Sequence, residues 1–148
     1  MCTIRKATNT DAVKKIYEWA FYGMEGLIQE YFKFEKYVDF FLRHKFAYVA
    51  VEKNVVCGVL FAYEVPDLIF GEILYIELLA VLPEYQKRGI GTKLLNRVRV
   101  DANNAGFQEI TLRTACYLDA YEIYKKYGFK DTKTDRRYMS LMLWKQIE

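Results

Sequence analysis

The stretch LAVLPEYQKRGIGTKLL, residues 79–95, decides the fold. An apolar, strand-like run ends at Pro83, two glycines follow at Gly89 and Gly91, and a helical pattern begins there. The first turn of a helix has N–H groups without partners and a partial positive charge, so anions bind to it. Glycine keeps side chains away from those groups. The stretch predicts either a phosphate-binding loop between a strand and a helix, or an ordinary close-packed turn.

Two common phosphate-binding motifs do not fit this loop. A dinucleotide fingerprint needs a third glycine at a set spacing, and a P-loop needs Gly-Lys-Ser/Thr after its glycines. Neither pattern is present in the sequence. The loop therefore indicates a phosphate-binding turn of another kind.

Outward from this loop, periodicity predicts an α/β domain. The predicted order is β-α-α-β-β-β-α-β-α-β, giving a mixed central β-sheet flanked by helices in one domain over residues 1–148. A hairpin is expected around Lys53 and Asn54. Gly106 and Gly128 are expected to end helices. Segments with clear patterns are a strand at 71–81, helices at 27–43 and 118–129, and a last strand at 136–145.

Composition sets limits on the class of protein. The 148 residues are 53% hydrophobic and 28% charged, which is typical of a globular chain. A net charge of +3 with scattered basic residues argues against nucleic-acid binding. No apolar run is long enough to span a membrane, and MCTIRKATNTD has no apolar signal segment. Three dispersed cysteines favour reduced thiols, hence a cytoplasmic protein without a metal site.

The loop closely resembles motif A of the GNAT superfamily of acyl-CoA-dependent N-acetyltransferases. That motif, Gln/Arg-x-x-Gly-x-Gly/Ala, is matched here by QKRGIG, residues 86–91. The resemblance implies acetyl-CoA as co-substrate, with the loop amides on its pyrophosphate and the preceding strand along its pantetheine arm. The implied cofactor-binding residues are Leu79, Ala80, Val81, Gln86, Lys87, Arg88, Gly89, Ile90, Gly91 and Thr92.

A second motif of the same family is matched independently. AYEIYKKYGF fits Ala-x-x-x-Tyr-x-x-x-Gly-Phe through Ala120, Tyr124, Gly128 and Phe129. The family often has Asn three residues before that alanine, where it contacts CoA. Here Tyr117 stands at this position, so that contact is not carried over.

Tyr124 is the candidate catalytic acid. The reaction implied by the resemblance needs a neutral amine, a polarised thioester carbonyl and a proton for the departing thiolate. An unperturbed tyrosine has a pKa of about 10 and keeps its proton at neutral pH. The family assigns the proton donation to the tyrosine of the second motif. The alternative is a tyrosine packed in the core on an amphipathic helix.

Glu77 is the candidate catalytic base. It interrupts the apolar run LYIELLAV, where a carboxylate is costly without a partner or a task. Many family members have an acidic residue at this distance before the valine, here Val81. Glu72 is the fallback base, and a salt bridge from Glu77 to a nearby Lys or Arg is the structural alternative. Family members also bulge this strand, which frees a backbone N–H, expected at Leu79, for the carbonyl.

Direct acetyl transfer to a primary amine in a ternary complex is the preferred function. A mechanism through Cys116 and His44 is disfavoured, because a nucleophilic cysteine needs a paired base. The alternative is a non-catalytic acyl-CoA sensor or interaction module, which Tyr117 supports. By resemblance, 16–41 forms one wall of the acceptor site. The acceptor is left open between a small amine and a protein amine, and many relatives form dimers, so a homodimer is also left open.

Overall fold

In the computed structural model, residues 1–9, 11–16, 34–68, 71–114 and 119–131 are described. Their strands are β1 (Thr3–Lys6), β2 (Phe46–Glu52), β3 (Val55–Asp67), β4 (Gly71–Val81) and β5 (Glu109–Leu112). The helices are α1 (Phe34–Leu42), α2 (Ile90–Asn104) and α3 (Asp119–Tyr127). Several predicted features lie outside the described residues: the strand at 136–145, most of the first helix, the start of the second helix, Cys116 and Tyr117.

The described strands form one mixed sheet in the order β1-β2-β3-β4-β5. The first four pair antiparallel, whereas β5 runs parallel to β4. The predicted hairpin between β2 and β3 is confirmed, since Lys53 and Asn54 have φ of 48° and 63°. Positive φ at both central residues is the geometry of a type I′ turn, whose twist matches that of the strands. The predicted α/β class with a mixed sheet is confirmed.

The sheet is covered on both faces. One face packs against a buried cluster that includes Val13 and Leu42 together with alternating strand residues such as Val49 and Phe61. The other face packs against α2, whose buried side chains are Ile90, Leu94, Leu95, Val98 and Ala102. These five positions recur at helical spacing, as the sequence pattern predicts. Beyond α2, Gly106 adopts φ of 88° and ends the helix as expected.

Helix α2 is anchored to the sheet at both ends. Near its start, a Cβ added at Gly58 of β3 would lie 3.2 Å from Leu94 Cδ1 and 3.3 Å from Ile90 Cγ2. Near its end, the Tyr48 hydroxyl donates to Asp101 Oδ2 at 2.7 Å. Arg97 Nε donates to the same oxygen at 3.2 Å. Because a close backbone contact and a charged hydrogen bond act at opposite ends, the helix axis is fixed against β2 and β3.

The chain divides into two compact units, Met1–Arg113 and a second that begins at Thr114. In the second unit, α3 has Asp119 and Glu122 in its first turn and two lysines in its last turn. This arrangement complements the helix dipole. Gly128 follows with φ of 122° and ends the helix as predicted. The prediction of one domain over 1–148 stays a prediction. No helix in the described ranges is long and apolar enough to cross a membrane.

The contact at Gly58 generates a stability prediction. Gly58→Val places methyl groups against Leu94 and Ile90 in a packed core, and such overpacking costs about 1–3 kcal/mol. Urea denaturation is expected to show this loss in the free energy of unfolding. Val55→Ala, at a 43% exposed strand position, serves as the control and should change it by less than about 0.5 kcal/mol. A Gly58→Val protein as stable as the parent would contradict the close approach.

Candidate functional site

The predicted loop is held tightly to the end of β4. A 3-10 turn at Pro83–Tyr85 leads out of the strand. The Leu82 N–H donates to the Cys57 carbonyl at 2.8 Å. The Gln86 side chain reaches back and donates from Nε2 to the Val81 carbonyl at 2.9 Å. These bonds set the direction in which the chain enters α2, and they give Gln86 a structural contact that the sequence does not reveal.

The start of α2 presents bare backbone. Gly89 precedes the helix in the left-handed region with φ of 79°, which favours glycine. Its carbonyl accepts the first helical bond, from the Lys93 N–H at 3.0 Å. The amides of Ile90, Gly91 and Thr92 are therefore first-turn donors without a partner inside the helix.

Space around these amides is open. Apart from the adjoining residues and the backbone of the helix itself, no atom in the described ranges lies within 4 Å of a Cβ built at Gly89 or Gly91. No described side chain caps α2 at its N-terminus. A Cβ at either glycine would occupy space next to the amides, so the geometry fits an anionic group that approaches the backbone closely.

The two cations of the loop differ in their surroundings. Lys87 is exposed and has φ of 60°. Arg88 Nη1 lies 3.2 Å from Glu52 Oε2, and its guanidinium lies 5.3 Å from the centre of the Tyr85 ring. Sequence reasoning missed Glu52, since only the fold brings the end of β2 beside the loop. Arg88 is thus oriented by a partner, and its charge is partly offset.

Glu77 lies in a β-bulge. On β3, the neighbours Phe61 and Ala62 pair with Leu78 and Ile76, which leaves Glu77 as the extra residue of β4. A bulged residue leaves the regular ladder and changes the local strand direction. The family-based expectation of a bulge in this strand therefore agrees with the register, although no sequence pattern marks it.

Beyond Glu77, the described strands pair with β4 on one side only. The parallel ladder with β5 ends at the pair Ile76–Leu112. The following residues up to Val81 pair with β3, and no strand in the described part of the chain pairs with their other edge. Successive residues of a strand direct their N–H groups to alternate sides. Backbone donors of this segment therefore face an open edge that leads to the loop. Ala80 is buried, and Leu79 and Val81 are half-buried.

The electrostatics at Glu77 involve two neighbours. Its side chain is exposed to solvent, yet partial burial of the carboxyl raises its pKa, and the positive charge of Arg113 opposes this rise. Ile76 and Leu112 form the last β4–β5 pair, and Glu77 and Arg113 are the residues that directly follow them in the chain. Arg113 is therefore the candidate basic partner for Glu77 in the structural alternative, a salt bridge in place of a catalytic role. Burial also raises the pKa of Tyr63, and the Glu77 charge adds to that rise.

Glu72, the fallback base, lies at the start of β4 opposite Pro66. The strand residues expected to line the ligand lie at the other end of β4. The register therefore places Glu77, and not Glu72, next to the open edge.

Tyr124 lies on α3 in the second unit, which is described by itself. It is half-buried, and burial raises its pKa. Its ring meets that of Phe129 edge-on, with centroids 5.7 Å apart, and its carbonyl accepts the N–H groups of Gly128 and Phe129. Tyr121 on the same helix instead donates its hydroxyl to the Asp131 carboxylate. The second-motif residues thus form one packed helix end around Tyr124.

His44 and the possible metal ligands are the remaining candidates from the sequence. His44 lies just past α1, where its Nδ1 accepts the Phe46 N–H at 3.4 Å, and burial lowers its pKa. In the described ranges, no three His, Cys, Asp or Glu side chains gather as a metal site.

The chain belongs to the acetyltransferase (GNAT) family, whose sequence pattern matches residues 10–129. No curated protein sequence matches it. The match extends over both units and contains both motifs, so the family predicted from the motifs is confirmed.

Solved structures share the fold. An aminoglycoside acetyltransferase from an uncultured soil metagenomic sample, in complex with sisomicin, has a TM-score of 0.73 at 20% identity, covering 95% of this chain and 97% of its own. A predicted acetyltransferase with acetyl-CoA from Clostridium acetobutylicum has a TM-score of 0.70 at 23% identity, covering 97% of each chain. A transcriptional regulator from Bacillus halodurans C-125 has a TM-score of 0.75 at 23% identity, covering 95% of this chain and 100% of its own. At these identities the likeness establishes the fold alone.

The pairing of Glu77 with Arg113 generates a titration prediction. Because the Arg113 charge lowers the Glu77 pKa, Arg113→Leu is expected to raise it further above the usual range. Carboxyl ¹³C NMR titration of the parent and the variant measures this change. Arg88→Leu removes a cation that pairs with Glu52 and should leave the Glu77 titration unchanged. A Glu77 pKa that falls or stays constant in Arg113→Leu would contradict the electrostatic coupling.

Proposed function

We propose that this protein is an N-acetyltransferase that transfers the acetyl group of acetyl-CoA directly to a primary amine in a ternary complex. The observation that carries the proposal is the open N-terminus of α2, which follows the bulged strand β4 at an edge where no described strand pairs with it. Because the chain belongs to the acetyltransferase family, we interpret this geometry as a binding site for acetyl-CoA. The structures with acetyl-CoA and with sisomicin, an acyl donor and an amine ligand, are consistent with it.

In this proposal the backbone binds acetyl-CoA. The amides of Gly89, Ile90, Gly91 and Thr92 donate to the pyrophosphate, which the partial positive charge of the helix end also stabilises. Lys87 and Arg88 add positive charge, and Gln86 keeps the loop in place. The open edge formed by Leu79, Ala80 and Val81 binds the pantetheine arm, and the Leu79 N–H polarises the thioester carbonyl.

Glu77 is the proposed base. A protonated amine cannot attack, so the acceptor must lose a proton before or during transfer. Glu77 is accessible, lies in the bulge beside the open edge, and has a pKa raised by partial burial. A raised pKa brings the carboxylate closer to the basicity that proton transfer at neutral pH requires.

Tyr124 is the proposed acid. Burial raises its pKa, so its hydroxyl is protonated at neutral pH. The amine nitrogen forms a bond to the acetyl carbon, the C–S bond breaks, and Tyr124 gives its proton to the departing thiolate. The amine proton leaves through Glu77, directly or through one water, and solvent then restores both side chains.

The experiment for this function combines binding with turnover. Calorimetry measures acetyl-CoA binding, and a thiol-release assay over a panel of primary amines measures transfer, with mass spectrometry identifying the acetylated product. Binding together with amine-dependent thiol release is the expected result. Binding without transfer to any amine would favour the sensor alternative, and no binding would overturn the proposal.

The role of Tyr124 is tested by Tyr124→Phe. This change removes the hydroxyl and keeps the ring against Phe129, so kcat is expected to fall about 10²-fold. The dissociation constant for acetyl-CoA should change by less than about twofold. Tyr121→Phe on the same helix is the matched control and should retain parental kcat. Equal kcat in Tyr124→Phe and the parent would remove Tyr124 from the acid role.

The role of the bare loop is tested by Gly91→Leu. The position is helical with open space around its Cβ, so leucine should stabilise α2 by up to about 1 kcal/mol. The same side chain blocks the amides, and the dissociation constant for acetyl-CoA should rise about tenfold or more, which corresponds to about 1.4 kcal/mol. Asn103→Leu, exposed near the end of α2, controls for the helix effect. Unchanged acetyl-CoA affinity in Gly91→Leu would place the pyrophosphate elsewhere.

A further inference from the structure

Four aromatic side chains form a continuous row beside Glu77, here called the aromatic strip: Phe41, Phe61, Tyr63 and Tyr75. Phe41 of α1 stacks on Phe61 with centroids 5.6 Å apart, and it lies 6.1 Å from Tyr63. Tyr63 meets Tyr75 edge-on at 5.5 Å. Phe61 is buried, whereas both tyrosines are half-buried and so present ring surface to a ligand.

Strand geometry explains why the strip ends at Glu77. Tyr63 of β3 and Tyr75 of β4 are direct cross-strand partners, so their side chains share one face of the sheet. Phe61, two residues before Tyr63, lies on that same face. The bulge begins directly after the Ile76 pair, and the charge of Glu77 acts on the Tyr63 hydroxyl. The proposed base and the two half-buried tyrosine rings therefore belong to one surface.

Arg113 also belongs to this surface, because it lies near enough to Glu77 and Tyr63 to influence the pKa of both.

The chemistry of the strip favours a ligand with a particular kind of apolar body. Aromatic rings pair edge-to-face or offset at centroid distances of about 4.5–7 Å. The negative face of a tyrosine ring also attracts an ammonium group until it is deprotonated. An amine carried a short distance from a planar ring satisfies both contacts at once.

We propose that the acetyl acceptor is a primary amine carried on an aromatic body, and that Tyr63 and Tyr75 are the residues that select it. This inference rests on the proposed acetyltransferase function. Phe41 packs against Phe61 and Tyr63 and so helps to hold the Tyr63 ring, and Glu77 beside the tyrosines receives the amine proton.

The test compares four acceptors in the thiol-release assay: phenethylamine, its saturated analogue cyclohexylethylamine, spermidine and kanamycin. Phenethylamine is expected to give a kcat/KM about threefold to tenfold higher than its saturated analogue, the range of one aromatic pair. Because spermidine and kanamycin carry no aromatic ring, phenethylamine should also exceed both in kcat/KM by about threefold or more. A higher kcat/KM for spermidine or kanamycin, or equal values for the ring and its saturated analogue, would overturn the inference.

Variants connect the selectivity to the strip. Tyr63→Leu is expected to raise KM for phenethylamine about threefold to tenfold with a smaller change in kcat, and to abolish the preference over the saturated analogue. Tyr63→Phe retains the ring and should retain the preference. Tyr75→Leu repeats the test from the other strand. Persistence of the ring preference in both leucine variants would remove the tyrosines from this role.

Acetyl-CoA calorimetry on every variant separates the possible failures. Unchanged acetyl-CoA affinity demonstrates that a leucine variant is folded and that its loop is intact. Transfer to amines without any preference for rings contradicts only the acceptor class. Absence of transfer to all amines contradicts the proposed function itself, and the two outcomes are therefore distinguishable.

Discussion

One extra residue in β4 is the constraint on which the site depends. The bulge at Glu77 comes directly after the last β4–β5 pair, so the regular sheet on both sides of β4 changes at the same place. A strand without the extra residue would keep its alternation, and Leu78 would then lie on the face opposite Tyr75 and Phe61. With the extra residue, Leu78 pairs with Phe61 and shares its face, and the carboxylate of Glu77 lies near Tyr63. No described strand pairs with the other edge of the segment that follows.

The N-terminus of helix α2 provides backbone donors at the end of this edge, where an anionic end of a ligand can bind. Its first-turn amides are useful only if they are held at a fixed position relative to β4. Close packing at Gly58 near one end and the Tyr48–Asp101 hydrogen bond near the other supply that rigidity. The loop itself contributes the Gln86 bond to the Val81 carbonyl. The geometry of the candidate site therefore depends on core contacts that lie outside the loop and the bulge.

Sequence reasoning located the backbone parts of the site far better than the side-chain parts. Helix spacing, turn residues and the glycine loop are local patterns, and α2, the hairpin and the helix ends at Gly106 and Gly128 all follow from them. The bulge at Glu77, its neighbour Arg113 and the partner of Arg88 depend on strand register, which joins residues far apart in the chain. Local patterns carry no information on register unless one face alternates cleanly, and β4 is apolar on both faces.

This division has a consequence for how such a chain diverges. In the proposed function, the acyl donor binds main-chain donors whose presence requires only glycines and a helix start, so a short motif is enough to indicate it. The proposed acceptor surface consists of Tyr63, Tyr75, Glu77 and Arg113, which come from three strands and their ends. Replacing any of these side chains alters the charge or the shape of the acceptor surface without disturbing α2. Acceptor specificity can therefore change while the fold and the donor loop stay constant, and the acceptor must be inferred from the packed surface of each chain.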